Sequence, residues 1–184
     1  MSYFPGQIKN LIEVDSSHIA LLKSELAKEE SLWGYWDKRK PNKFSVFEKN
    51  VKHIVFKYPV DLNNHNVSAT FPIWEDWEHL IQPLIDSVCT AYQYEKIGIA
   101  RVMLAKLLPF SAIPLHVDTS PSAELPHKIH VPLQTHQDVV MNFHEGDFHL
   151  SVGRAYEVNN RIPHGVSNPS ASERVHLIFD CFEI

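Results

Sequence analysis

Apolar residues in the first half of the chain recur at helical spacing in two places and at strand spacing in one. Ile19, Leu22 and Leu26 repeat at three- and four-residue intervals behind Ser16 and Ser17, which predicts a helix capped there and running toward Leu32. After a polar stretch at 37–43, Val51–Tyr58 reads as a strand. Trp77, Leu80, Leu84, Ile85, Val88 and Ala91 form a stripe that predicts a second helix from about Trp74 to Tyr94, with Pro83 expected to kink or divide it. Stripes of this kind are core, so Trp74 and Trp77 are given no cofactor role.

Near residue 95 the pattern changes to short extended runs. These are 97–108, 128–134, 138–143, 147–152, 155–159 and 174–182, separated by Pro, Gly, Ser or Asn. The resulting expectation is a mainly β fold with N-terminal helices. Its form would be a double-stranded β-helix, that is, a cupin-like jelly roll with an open mouth and the helices outside one sheet. With 184 residues and 44% hydrophobic content, one core is expected, so 1–184 reads as a single domain. Within it, 1–95 would be a helical and strand support region and 96–184 the jelly-roll core.

Two of the strands carry polar residues at period two. In Lys128–Gln134, Ile129, Val131 and Leu133 share one face, leaving Lys128, His130 and Gln134 on the other. In Arg174–Asp180, Val175, Leu177 and Phe179 share one face, and Arg174, His176 and Asp180 the opposite one. Each polar face alone meets either solvent or a cavity, and their joint occurrence beside the candidate ligands described below favours a cavity.

Charge and cysteine content narrow the classes. Lys plus Arg number 17 against 22 Asp plus Glu, a formal charge of -5, and no Lys/Arg-rich run occurs, so nucleic acid is not an expected partner. Met1–Gln7 lacks a basic region followed by an apolar stretch, and no segment approaches a membrane span, so a cytoplasmic protein with no membrane partner is expected. Cys89 and Cys181 are the only cysteines and do not form a disulfide framework; both are expected reduced and buried. Oligomeric state is not legible.

The candidate chemistry lies in the second half. His116 and Asp118 flank Val117, so in an extended segment both side chains point one way and can share an ion. The run 107–114 ahead of them reads as an apolar strand, a proline-containing turn and a short extended stretch that presents the pair. With twelve histidines in the chain, a lone His-x-Asp is weak evidence. A third ligand must come from elsewhere, and His164 sits in the turn-rich 159–168 segment, where Asn159, Asn160 or Asn168 could steady a ring. Two imidazoles and a carboxylate make the facial triad that suits a non-haem Fe(II) site. Arg174, ten residues after His164, would be an anion anchor, because a guanidinium meets a carboxylate in a two-pronged geometry. Arg101, Arg154, Arg161 and Lys128 are further candidates for a substrate carboxylate.

The order of these elements resembles the aspartyl/asparaginyl beta-hydroxylase-like family of 2-oxoglutarate- and Fe(II)-dependent oxygenases. The likeness covers roughly 97–182: Leu-Pro before the His-x-Asp, then Lys128–Leu133, then Asn159-Asn160-Arg161 ahead of His164, then Arg174, then Asp180. It implies Fe(II), 2-oxoglutarate and O2 as cofactors, with oxidative decarboxylation to succinate coupled to substrate hydroxylation. His116, Asp118 and His164 would hold the metal. Arg174 would bind the distal carboxylate of 2-oxoglutarate, and His130 and Lys128 would contact the co-substrate or the substrate. The peptide-modifying hydroxylase that names the family has glycine where this chain has Asp118, whereas relatives acting on free amino acids such as proline keep an acid there. A small-molecule or peptide substrate follows. The co-substrate-contacting serine of the naming enzyme falls at Ala105, leaving open which group assists Arg174. Two rivals keep the same fold: a cupin-like metal- or ligand-binding module without turnover, and a zinc-dependent hydrolase or isomerase. A site that held a metal alone would give Arg174 no task.

Overall fold

The computed structural model describes residues 4–47 and 49–184. The leader-peptide reading of Met1–Gln7 therefore rests partly on residues outside the described ones. The strands are β1 (Ile8–Glu13), β2 (Val51–Asp61), β3 (Asn64–Thr70), β4 (Ile97–Leu107), β5 (Ser111–His116), β6 (His127–Gln134), β7 (Val140–Phe143), β8 (Gly146–Phe148), β9 (Arg154–Val158), β10 (His164–Asn168) and β11 (Arg174–Glu183). The helices are α1 (Ser16–Lys28), α2 (Ser31–Asp37), α3 (Ile73–Cys89) and the single turn α4 (Pro121–Glu124). A seven-stranded sheet, β1-β9-β6-β11-β4-β2-β3, faces a four-stranded sheet, β5-β10-β7-β8. Every pairing is antiparallel. This is the expected jelly roll, with three strands of the larger sheet drawn from before residue 95.

The alternation in β6 and β11 sorts the interior into two layers. Ile129, Val131, Leu133, Val175, Leu177 and Phe179 pack beneath α1 and α3 with Leu22, Ile81, Leu84 and Ile85. Burying each such side chain contributes about 1.5–3 kcal/mol, so this layer pins the helices outside the larger sheet. Opposite it, Ala105, Leu107, Ile113, Met141, Phe143 and Val166 fill the space between the sheets. Cys89 and Cys181 are free and buried. No helix among the described residues is long and apolar enough to cross a membrane.

Several boundaries differ from the sequence reading for identifiable reasons. The cap of α1 is Asp15, whose Oδ1 accepts from the Ser17 backbone N at 2.8 Å. The helix stops at Lys28 because Glu29 leaves helical dihedrals (φ -134, ψ 61), and α2 then starts separately and buries Trp33. Pro83 does not divide α3. It lies on the exposed side, so the His79 carbonyl deprived of its partner faces solvent while Leu84 and Ile85 keep packing. That helix ends at Cys89, short of Tyr94, because Tyr92 is committed elsewhere, its hydroxyl donating to Glu157 Oε2 at 2.7 Å. The strands β1 and β3 border the larger sheet with irregular, largely polar burial, and so carry no period-two signal.

The C-terminal part of the turn-rich segment, from His164 to Asn168, is the strand β10. It pairs with β5 so that His164 lies opposite His116. Gly165 permits the close approach, since a Cβ there would sit 2.7 Å from the Ile113 carbonyl oxygen. The fold thus sets two distant histidines side by side through backbone pairing.

Candidate metal and co-substrate site

A cavity of about 520 Å³ opens between the sheets. Lys128 and His130 of β6 and Arg174 of β11 line its wall, so this part of each polar face serves a cavity and not solvent, while Gln134 lies outside it and His176 and Asp180 are buried. At its edge His116, Asp118 and His164 bring one ligand atom each within 4.8 Å of one another. The His116 and His164 rings stand 4.4 Å apart, and His116 Nε2 lies 3.7 Å from Asp118 Oδ1.

The hydrogen bonds fix which ring nitrogens are free. His116 Nδ1 donates to the Pro114 carbonyl at 3.0 Å, and His164 Nδ1 donates to that of Ile162 at 2.9 Å. Each ring proton is therefore held on Nδ1, leaving the Nε2 lone pair for an ion. Burial, ahead of the opposing pull of Asp118, keeps His164 below its ordinary pKa, so the ring is neutral as a ligand must be. Burial alone would raise Asp118. Lys128, with His164, Asn160 and His116, instead holds its carboxyl down to about 2. Of the three asparagines, Asn160 serves the site, donating from Nδ2 to Asp118 Oδ2 at 3.1 Å and to the Ala123 carbonyl at 2.7 Å. Asn159 and Asn168 bond to loop carbonyls instead.

Deeper in, Arg174 is 3% exposed and its Nη2 has no partner. Burial pulls its pKa down to about 9, with no anion offsetting it. A guanidinium in that condition calls for an anionic ligand. The donor set at the cavity edge and this orphaned cation at its depth fit, respectively, a divalent metal and the far carboxylate of a chelating acid. Of the four further cations, Arg101 and Lys128 line the cavity, whereas Arg154 pairs with Glu13 at the surface and Arg161 is exposed outside it. Lys128 Nζ reaches Asp118 Oδ2 at 3.4 Å and Asp180 Oδ1 at 3.2 Å. Arg101 pairs with Asp180 and lies over the Tyr58 ring at 4.8 Å.

The sequence reading missed His53 and Asn42, which reach the cavity from β2 and the segment before it. The signal available was the period of β2: Val51, His53 and Val55 alternate with Ile54 and Phe56, leaving a histidine on the inner face. Burial, then Lys40, pushes His53 down to about 3, with Asp37 opposing. His130 and His176 are likewise held far below their ordinary value by burial and Arg174. Each binds fewer protons folded than unfolded, so stability is full above about pH 6.5 and falls as pH drops toward the folded pKa. His53 alone accounts for about 2 kcal/mol lost by pH 5. Urea midpoints of the metal-free protein should therefore fall between pH 7 and 5, and His53→Leu should flatten that slope; an unchanged slope would refute the assignment.

An antiparallel jelly roll with a His-x-Asp…His cluster at its mouth and a buried arginine within defines a class, the 2-oxoglutarate- and Fe(II)-dependent oxygenases. Solved structures share this fold. The protein is similar to a 2OG-Fe(II) oxygenase family oxidoreductase from Burkholderia pseudomallei (TM-score 0.58, 15% identity, 94% of this chain and 92% of that one). It is also similar to a Trichoplax adhaerens prolyl hydroxylase in complex with a hypoxia inducible factor peptide fragment (0.60, 14%, 96% and 82%). A third likeness is to a Pseudomonas putida prolyl-4-hydroxylase (0.55, 11%, 98% and 94%). At these identities the likeness establishes the fold alone. No protein of curated function matches the sequence. The aspartyl/asparaginyl beta-hydroxylase family model matches residues 83–183, more than half of the chain, and the protein belongs to that family. It is an Fe(II)- and 2-oxoglutarate-dependent hydroxylase, with dioxygen as the third reactant.

Proposed function

We propose that the protein hydroxylates an unactivated carbon of a small amino-acid-like molecule or peptide side chain, with His116, Asp118 and His164 as the iron ligands. Arg174 binds the distal carboxylate of 2-oxoglutarate, and His130 and Lys128 contact the co-substrate or substrate beside it. The observation that carries this reading is the orphaned Arg174 Nη2 in the same cavity as three converging donor atoms. A module that only bound metal, or a zinc hydrolase, would leave that cation buried without a task.

When bound, Fe(II) and 2-oxoglutarate supply the oxidising chemistry, in which dioxygen is consumed, the 2-oxo acid becomes succinate and carbon dioxide, and one oxygen atom enters a substrate C–H bond. The chain's part is positioning. Asn160 and Lys128 keep the Asp118 carboxylate ionised and oriented. The Pro114 and Ile162 carbonyls aim the two imidazoles. Phe47 packs edge-on against His116, with ring centroids 5.7 Å apart, and so limits the rotation of that ligand.

Substrate class follows from charge. Three cations, Arg101, Lys128 and Arg174, line the cavity with one anion, Asp118, and a second anion, Asp180, is buried behind them against Arg101 and Lys128. Fe(II) and doubly charged 2-oxoglutarate cancel each other, so one positive charge remains for a substrate, and Arg101 with Lys128 is its location. An amino-acid carboxylate supplies the match. Residues 1–184 act as one domain in this reading, because β2 from the N-terminal half lines the same cavity. The experiment is a succinate-formation screen of free amino acids, short peptides and proteins. Stimulation by free amino acids, reduced by Arg101→Met, is the expected result; stimulation by peptides or proteins alone would overturn the small-molecule assignment.

A further inference from the structure

Ala105 lies on the inner face of the larger sheet, opposite His176 on one neighbouring strand and His53 on the other. One step along, Arg174, Leu107 and Val51 form the adjacent row. With a methyl group in the middle of the three-strand row, a gap remains over Ala105. Two strand spacings, about 10 Å, separate the β11 and β2 backbones across it, room for a carboxylate held from both sides. Arg174 enters this region from β11 with Nη2 unpartnered. His53, 4% exposed, lines it from β2.

The His53 tautomer is determined by its neighbours. Lys40 Nζ has three protons and three acceptors: Asp37 Oδ1 at 2.7 Å, the Val51 carbonyl at 3.5 Å and His53 Nδ1 at 3.3 Å. An ammonium only donates, so Nδ1 must accept, and the ring proton sits on Nε2. The His53 backbone N donates to Asp37 Oδ1 at 2.8 Å, which ties the strand to the same pair. The Lys40–Asp37 ion pair therefore serves as a clamp that sets His53 as a neutral donor from Nε2. Asn42, 4% exposed, lines the same cavity with Oδ1 unpartnered. Turning its amide over would present Nδ2 as a further donor.

We infer that His53 Nε2 donates to the distal carboxylate of 2-oxoglutarate opposite Arg174, taking over from a neighbouring strand the contact that a serine hydroxyl at position 105 would make. The inference rests on the Arg174 anchor. It also accounts for a Lys40–Asp37–His53 cluster, with Lys40 and His53 buried and Asp37 half-buried, that the metal site does not use. Chain segments on both sides of residue 95 then grip one co-substrate.

The test is anaerobic calorimetric titration of two 2-oxo acids into the Fe(II)-loaded protein: 2-oxoglutarate, and 2-oxopentanoate, which chelates identically but lacks the distal carboxylate. His53→Leu should raise the Kd for 2-oxoglutarate about tenfold or more and leave that for 2-oxopentanoate within about twofold. Ala105→Ser added to His53→Leu should recover most of the lost affinity. Equal weakening of both ligands would overturn the inference, because a merely structural role would not distinguish them. Unchanged 2-oxoglutarate binding in His53→Leu, alongside a loss in Arg174→Gln, would overturn it while leaving the Arg174 anchor standing. Unchanged binding in both variants would sink the anchor and this inference together.

Discussion

His164→Ala is expected to lose Fe(II) affinity by more than about a hundredfold and, with it, all 2-oxoglutarate turnover, while remaining folded. Changes in groups that merely orient a ligand cost 10- to 100-fold, so removing a ligand atom must cost more. The fold should survive because β10 is held by backbone pairing to β5 and β7, and because the bond lost, from Nδ1 to Ile162, is local. His116→Ala should behave alike. Asp118→Ala is a different case: it removes one acceptor from Lys128 and one from Asn160, yet Lys128 keeps Asp180 and Asn160 keeps the Ala123 carbonyl. A partial loss is expected there, in line with the glycine that the family's naming enzyme carries at this place. Metal content after anaerobic reconstitution, with circular dichroism on the same samples, checks all three. A normally loaded and active His164→Ala protein would remove the assignment, and full activity in Asp118→Ala would reduce the triad to two ligands.

What the sequence disclosed about this site depended on periodicity. Apolar residues recur at every second position in β6 and β11, so the opposite face carrying Lys128, His130, Arg174, His176 and Asp180 was legible as a set, and its place beside the candidate ligands favoured a cavity over solvent. His116 and Asp118 sit two apart in an extended stretch and pointed together from the outset. Their partner was readable by residue type only: the Asn- and Gly-rich surroundings of His164 look like a turn, and it is pairing with β5, through the space left by Gly165, that makes them a strand. For His53 the period of β2 showed the face and not the role. Its role depends on lying across β4 from β11, a register set by tertiary packing, and on Lys40, which reaches it from the turn that follows α2. Asn160 could not be singled out from Asn159 and Asn168 because all three have the same local chemistry and differ only in what folds against them.

Arg174→Gln should weaken 2-oxoglutarate binding by about ten- to a hundredfold while changing Fe(II) affinity far less. A hydrogen bond to a charged group is worth roughly 1.5–3 kcal/mol, and every 1.4 kcal/mol is tenfold. Lys at this position should restore only part, since a point charge lacks the second prong of the guanidinium. A second consequence separates a ligand anchor from a structural arginine. In the ligand-free protein Arg174 is a buried cation without a counter-ion, its pKa pulled down to about 9 by burial, so it costs stability. Exchanging an uncompensated buried charge for an apolar side chain of similar length removes that cost. Arg174→Met should therefore unfold at higher denaturant than the parent when both lack ligand, by roughly 1–3 kcal/mol. Adding saturating 2-oxoglutarate to the metal-loaded proteins should reverse the order, because only the parent gains binding energy in its native state. Urea unfolding with and without 2-oxoglutarate measures both terms in one experiment. An Arg174→Met protein less stable than the parent in both conditions would assign the arginine to the core, and an unchanged dissociation constant would move the anchor to Lys128 or His130.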